Sequence, residues 1–469
     1  MSQTGLKLAQ EKMAAAGVHL QAIDVFTYYY RQLEEGVSGF IPEDTIEPLT
    51  DPPMLSDLAV GEKDAAAALE KTVIIKLNGG LGTSMGMNKA KSLLPVRKDK
   101  TFLDIIVDQV RHARASHRIE LPLLFMNSFR THQDTLAALA PYDDLAVAGL
   151  DLDFVQNQEP KLRADDFTPV EWPAEPSLEW CPPGHGDLYT AIATSGILDR
   201  LLSLGYHYAS VSNSDNLGAA PNATIAGWFA ASGAPYAAEV CRRTAADRKG
   251  GHLAIRKSDR RLILRDTAQT PKEEMHFFTD EFRHPFFHTN NLWFDLEVLD
   301  RTLRERKSVL GLPLIKNEKT VDPADPSSPR VIQIETAMGA AVEVFEGATA
   351  IGVGRDRFLP VKTTSDLLVL RSDAYELEVN GQLAKLADAT PVIDLDDKYY
   401  KIINDFDHRF PAGAPSLRAA RYLGVKGDWT FEAGVRVIGE VTLEDSGGPQ
   451  IVAAGSTLTS QAEPRLTAR

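Results

Sequence analysis

The sequence predicts an α/β protein: a mixed, mostly parallel central sheet, an N-terminal helical segment and a C-terminal parallel β-helix. Three observations carry this. Strand-length apolar runs alternate with helical periodicities between residues 72 and 240, the pattern of a parallel sheet with helices on both faces. The run Thr72-Val-Ile-Ile-Lys-Leu77 passes directly into a loop with glycines at 79, 80, 82 and 86. Near the C-terminus Val425, Phe431, Val437 and Leu443 recur every six residues, as do Leu423, Trp429, Val435 and Val441. That period marks a coil in which each face contributes one short strand. The chain accordingly divides into a helical segment and linker (1–60), a nucleotide-binding catalytic domain (61–378) and a β-helix domain (379–469).

Taken in order, residues 2–35 read as two helices broken near Gly17. Their stripes are Leu6, Ala9, Met13 and Ala16, then Ile23, Phe26, Tyr30 and Leu33, with Gly36 as the stop. Pro42, Pro48, Pro52 and Pro53 make 41–57 a wrapped linker. An Ala-rich helix over 64–70 leads into the 72–77 strand. Helices follow at 101–116, 130–140, 187–204 and 223–231, and strands at 122–126, 152–155, 208–211 and 236–240. In such sheets ligands bind beyond the carboxyl ends of the strands, which gathers the 78–92 loop, Asn127, Gln156 and 212–218 along one edge.

A net charge of −15 argues against nucleic acid or an anionic membrane as partner, since both require a basic face. Two cysteines cannot build a disulfide framework, so a reducing compartment is expected. No 18-residue apolar run occurs and residues 1–10 lack an apolar signal region, so a cytoplasmic location is expected.

The glycine loop can point several N–H groups at one anion, and Lys89 and Lys91 add formal charge. It satisfies neither the Walker pattern nor the dinucleotide fingerprint, because Met85 stands where a third glycine should fall. Cys181-Pro-Pro-Gly-His-Gly-Asp-Leu-Tyr189 reads as a rigid turn opening a helix, with His185 a candidate phosphate donor. Asp215, among small polar residues in Ser212-Asn-Ser-Asp-Asn-Leu-Gly-Ala219, suits an oxygen ligand for Mg²⁺ shared with phosphates. Lys249-Gly-Gly-His252 and His288-Thr-Asn-Asn-Leu-Trp293 offer amide and hydroxyl groups for sugar hydroxyls. Lys362 precedes a Thr/Ser-capped helix and suits charge on a transferred phosphate. Each segment also has an ordinary structural reading: a solvated loop, a satisfied core histidine, an Asx turn, a surface ion pair. The absence of Ser-His-Asp order, His-Glu-x-x-His and zinc spacing points to positioning and electrostatics rather than covalent catalysis.

Together these stretches resemble the eukaryotic-type UTP–glucose-1-phosphate uridylyltransferases (UDP-glucose pyrophosphorylases). The resemblance rests on Lys76–Gly86, Met126-Asn-Ser-Phe129, Pro182–Asp187, Ser212–Gly218, Lys249-Gly-Gly251, Asn290–Trp293, Glu335–Ala341 and Phe358–Leu367, in that family's order. It implies a Rossmann-like nucleotidyltransferase domain and a left-handed β-helix that mediates oligomerisation in some members. It implies Mg²⁺-dependent attack of glucose 1-phosphate on the α-phosphorus of UTP, giving UDP-glucose and pyrophosphate. Leu77, Asn78, Gly79, Gly80, Gly82, Gln156 and Gly184 are then the uridine and UTP contacts. Lys91, Lys362 and Asp215 are the catalytic set, with Asp215 the metal ligand. His185, Asn213, Lys249, Asn290 and Asn291 border the sugar phosphate. The family commonly reads Gly-Cys-Lys-Gly-Pro-Lys-Ser after the loop, and this chain reads Gly86-Met-Asn-Lys-Ala-Lys-Ser92, so the first lysine stands one place later, at Lys89. Two other readings stand beside it: a uridylyltransferase for galactose or N-acetylhexosamine 1-phosphate, and an inactive nucleotide-sugar sensor or scaffold.

Overall fold

The computed structural model describes residues 3–460 apart from Ser38, Lys98, Ala245, Ala246 and Lys249. Its centre is a mixed sheet, ten-stranded among the described residues. Thr72–Asn78 lies in the middle, parallel to Tyr208–Asn213 on one side and to Leu123–Asn127 on the other, with Asp153–Val155 parallel beyond. Phe286–Asp295 then runs antiparallel between Tyr208–Asn213 and Tyr236–Arg242, and Thr349–Val353 closes that side parallel to Tyr236–Arg242. The antiparallel insertion makes the sheet mixed.

All seven residues of Thr72–Asn78 are buried, because helices cover both faces. Alternation sends Val73, Ile75 and Leu77 toward Met13, Phe26 and Tyr30 of the N-terminal helices. Ile74 points the other way, into a layer with Phe102, Ile106 and Phe229. The helices begin where caps allow: Thr101 and Asp104 form a reciprocal capping box at the head of Phe102–His117.

The N-terminal helices are α1 (Gln3–Ala15) and α2 (Leu20–Glu35), and Gly36 ends α2 in the left-handed region at φ 67°. Three expectations are revised. Ala16 lies past the end of α1 and is exposed. The helix expected over 187–204 is two, Leu188–Thr194 and Ile197–Ser203, because Gly196 sits at φ 78° between them. The linker is partly structured, with Ile46–Pro48 adding an edge strand antiparallel to Ala254–Arg256. Its anchor is Glu43, buried against Arg265, Arg283 and His284, while Arg265 also meets Glu274 at 2.7 Å.

The C-terminal region winds into parallel coils. Val392–Leu395, Ser416–Val425, Arg436–Leu443 and Thr457–Leu458 stack parallel in one sheet, and Trp429–Phe431 pairs parallel with Gln450–Val452 in another. All eight residues of the two six-residue registers are buried. Two short helices absent from the sequence reading, Asp397–Tyr400 and Ile403–Arg409, interrupt the coils and plug one end. There Phe410 stacks on Phe431 at 4.9 Å and the Tyr400 hydroxyl donates to the Trp429 carbonyl at 2.7 Å. The hairpin of Tyr375–Leu377 with Leu383–Lys385 spans the boundary expected at 378/379. Among the described residues no helix is long and apolar enough to cross a membrane, and Cys181 and Cys241 are free and buried.

Phe431 is fully buried in the coil interior. Phe431→Ala is expected to cost about 3–5 kcal/mol, seen as a lower denaturation midpoint of the C-terminal region.

Candidate active site

The carboxyl ends of the four parallel strands deliver their following residues to one edge. With Lys91 and the 182–185 turn, Leu77, Gly79, Gly80, Gln156, Asn213 and Asp215 line a cleft with about 730 Å³ of empty space, also walled by Met126 and Ser214.

The wall at Gly79 is built by close approach. A Cβ there would lie 2.3 Å from Oε1 of Gln156. The Gln156 N–H donates to the Asn127 carbonyl at 2.8 Å, its side-chain amide donates to the Gly184 carbonyl at 3.2 Å, and Ser128 Oγ donates to the Gly79 carbonyl at 2.9 Å. Gly184 sits at φ 78°, and a Cβ there would meet the Thr336 carbonyl oxygen at 2.7 Å. Thr336 pairs with this turn through its own backbone, donating to Pro183 O at 3.0 Å and accepting from Gly186 N at 2.8 Å. His185 accepts the Met338 N–H on Nδ1 at 3.0 Å, and burial lowers its pKa, so the ring faces the cleft neutral with Nε2 uncommitted to Met338.

Across the cleft Lys91 Nζ donates to Asp215 Oδ2 at 2.6 Å and to the Val361 carbonyl. Val361 N donates in turn to the Asp215 carbonyl at 3.2 Å, so one strap holds both residues. The second carboxylate oxygen, Asp215 Oδ1, is buried and has no hydrogen-bond partner. An unpaired buried carboxylate oxygen calls for a donor or a cation. No cluster of three or more His, Cys, Asp or Glu side chains suited to a metal occurs among the described residues. Asp215 lines the cleft, and a single carboxylate there fits Mg²⁺ shared with substrate phosphates and water.

Several expected site residues stand elsewhere. For Asn78 the expected contact is by its backbone, and its side chain is a buried strut: Nδ2 donates to Asn127 Oδ1 and Thr135 Oγ1 at 2.8 and 2.9 Å, and Oδ1 accepts from Ser214 at 3.1 Å. Gly82 packs against Met87, where a Cβ would meet Sδ at 2.7 Å, and does not line the cleft. The Asn291 side chain is consumed below the cleft by Glu239, the Arg357 carbonyl and Asn216. Asn290, at φ 60°, donates its N–H to His288 Nδ1 and is not a cleft residue. Lys362 is exposed; its backbone N–H donates to Asp366 at 2.8 Å, beside the Thr363 cap of Thr364–Arg371, and the side chain lies outside the cleft lining. Lys89 is also exposed and outside that lining. Lys249 lies outside the described residues.

Beneath the cleft runs a buried charge network that sequence reasoning did not find. Arg357 makes a two-pronged pair with Glu239 at 2.8 Å on each side, and Glu239 also accepts from Trp293 Nε1 at 3.0 Å. Arg357 donates to Ala220 O at 3.0 Å, and its own carbonyl accepts from Asn216 at 3.1 Å, tying 212–220 to 355–361. Lys76, fully buried in the central strand, donates to Ser212 Oγ at 2.8 Å and Ala219 O at 2.7 Å. Burial pushes its ammonium down to about 7, with Arg357 acting in the same direction. A lysine inside a β-branched run was the available signal. Truncating Arg357 to methionine is expected to cost about 3–5 kcal/mol of stability by leaving Glu239 unpaired. Chemical denaturation monitored by Trp293 fluorescence measures this.

Comparison with known proteins agrees with this geometry. The sequence model of the family UTP–glucose-1-phosphate uridylyltransferase matches residues 23–437. The UTP–glucose-1-phosphate uridylyltransferase of Solanum tuberosum is 38% identical over 417 residues, covering 88% of this chain and 83% of that protein. The Hordeum vulgare protein of the same name is 39% identical over 418 residues, with the same coverage. Among solved structures, UDP-glucose phosphorylase from Trypanosoma brucei superposes with a TM-score of 0.91 at 41% identity, covering 98% of this chain and 99% of that one. A point mutant of UDP-glucose pyrophosphorylase from Leishmania major, in complex with UDP-glucose, matches with a TM-score of 0.91 at 40% identity and the same coverage. The chain belongs to the UTP–glucose-1-phosphate uridylyltransferase family.

Proposed function

We propose that this chain transfers the uridylyl group of UTP to glucose 1-phosphate, releasing pyrophosphate. The observation that carries the reading is the Lys91–Asp215 pair with its free Oδ1, set across one cleft from Gly79, Gln156 and Gly184. Uracil edge recognition falls to the Gln156 amide and the backbone of Leu77, Gly79 and Gly80, in a slot that side chains at 79 or 184 would fill. His185 and Asn213 border the sugar phosphate. A phosphate oxygen of glucose 1-phosphate attacks the α-phosphorus in line as the bond to the β-phosphate oxygen breaks. Lys91 then offers its ammonium to the charge spread over the α-phosphoryl oxygens. Asp215 would hold Mg²⁺, which when bound would neutralise charge on the phosphates. Neutral His185 at the turn donates a hydrogen bond without adding charge. Lys362 follows Val361, whose backbone bonds to Lys91 and Asp215, so its flexible side chain starts beside the pair and offers a second ammonium to the phosphates. Asn290 and Asn291 act on the sugar side by shaping the floor rather than by direct contact.

We further read the C-terminal coils as a left-handed β-helix whose open end supports homo-oligomerisation, and residues 1–60, 61–378 and 379–469 as the organising units. A cytoplasmic setting agrees with two free, buried cysteines.

The test is pyrophosphate release with UTP, Mg²⁺ and glucose 1-phosphate, beside galactose 1-phosphate and N-acetylglucosamine 1-phosphate. Glucose 1-phosphate is expected to turn over fastest, and Asp215→Ala to lose at least about 100-fold in kcat/KM. A wild type that binds UDP-glucose yet releases no pyrophosphate overturns the enzyme reading in favour of a sensor. Faster turnover of another sugar phosphate moves the specificity.

A further inference from the structure

Behind the 182–187 turn, on the side away from the cleft, α2 and the central domain enclose a small cavity. Phe26 and Tyr29 of α2 form one side, and Asn157, Glu159, Gly186 and Asp187 another. Two acids in this wall lack what other buried acids here possess. Glu43 meets two arginines and a histidine, Glu239 meets Arg357, and Asp153 meets His132. Neither Glu159, 2% exposed, nor Asp187, 5% exposed, has a cationic partner among the described residues. Glu159 Oε1 is a buried atom with no hydrogen-bond partner.

Asp187 has a specific attachment. Its carboxylate accepts the Asn157 N–H at 2.6 Å on one oxygen and Asn157 Nδ2 at 2.8 Å on the other. Asn157 follows Gln156, whose amide reaches Gly184, and Asp187 stands three residues after Gly184. The two attachments close a ring: strand end, Gln156, Gly184, turn, Asp187, Asn157. Both of Asn157's donors require an acceptor, and a protonated carboxyl presents an O–H to one of them.

Resting on the uridylyltransferase reading, we propose that Asp187 is a positioning residue for the nucleotide: through Asn157 it clamps the Gln156 segment to the Gly184 turn, and the clamp holds when its carboxyl is ionised. Burial pushes that carboxyl up to about 7, against the two hydrogen bonds from Asn157, so the clamp is set near neutral pH. The titratable groups that share the cavity with it are Glu159 on the strand Glu159–Pro160, Tyr29 on α2 and Tyr189 on the following helix; Glu335 acts on Glu159, and His185 stands two residues earlier in the turn. Burial, then the charges of Asp187 and Glu335, raises the Glu159 carboxyl. Lys12 of α1, which packs on the same strand, is taken up by Glu179. His185 is lowered and titrates at more acid pH. Lys76 titrates in the same range but gains charge as pH falls, which would move anion affinity the opposite way.

The measurement is the Kd of UDP-glucose by calorimetry on the full chain between pH 6 and 8.5. This ligand is chosen because its doubly esterified diphosphate does not titrate there, unlike UTP. Sign and size follow from the ionised fraction: below a midpoint near 7 the competent population falls, so Kd should rise roughly eightfold from pH 7.5 to 6 and flatten above 8. Asp187→Asn, whose NH₂ confronts one Asn157 donor, should weaken binding about tenfold and abolish the inflection. Glu159→Gln should retain it. A flat wild-type profile overturns the proposal, whether or not Asp187→Asn folds. So does an inflection lost in Glu159→Gln but kept in Asp187→Asn, or an Asp187→Asn protein that loses thermal stability with Kd and its pH profile unchanged. A wild type that fails to bind UDP-glucose at any pH overturns the uridylyltransferase reading and the clamp with it.

Discussion

The pair Arg357–Glu239 is the interaction on which the reaction side of the cleft depends. Both groups are desolvated, so their attraction stabilises only if the remaining donors and acceptors are also met. Trp293, Asn291, Ala220 and Asn216 meet them. Those partners come from the antiparallel strand 286–295 and the 212–220 loop. One buried charge pair therefore registers three chain segments against each other, and Lys76 adds the central strand through Ser212 and Ala219. Asp215 and Lys91 are fixed in position because the floor beneath them cannot slide. The geometry of the Lys91–Asp215 pair is set here by groups outside the cleft lining.

The side of the cleft at Gly79 and Gly184 obtains rigidity by another route. Gly79, Gly184 and Gly186 are places where backbone or side chain occupies the volume of a missing Cβ. Thr336 is the occupant at two of them, arriving from the end of the strand Arg330–Glu335. Rigidity by close packing and rigidity by buried charge thus divide the cleft between them. The turn at 182–187 sits between the two regimes, packed by Thr336 in front and held by Asn157 and Asp187 behind.

Much of this was legible in the sequence, and the parts that were not share a cause. The central strand, the glycine loop and both six-residue registers of the coil were readable because each is a periodic or local signal, and all eight coil positions are buried. Gln156, Gly184, His185, Lys91 and Asp215 were readable as motif members and do share the cleft. Asn291 and Lys362 belong to motifs just as distinctive, yet the Asn291 side chain is a buried strut and Lys362 is exposed. A motif shows which residues matter to a site, not which way each side chain points. Glu239, Arg357 and Asp187 were missed because their meaning lies in partners far along the chain. The helix break was a local signal left unread, Gly196 at φ 78°, whereas the edge strand in the linker was missed because it forms only by pairing with Ala254–Arg256.

The anchoring of the N-terminal segment has a consequence for how the chain is made. Glu43 meets Arg283 across 240 residues and Arg265 across 222. During synthesis Glu43 leaves the ribosome long before its counter-charges exist, so its docking cannot be an early local event. Glu43 can be buried without an uncompensated charge only once residue 284 has emerged, whereas α1 and α2 pack on the 72–78 strand that follows them closely in the chain. The linker around Glu43 thus settles after the helices it follows.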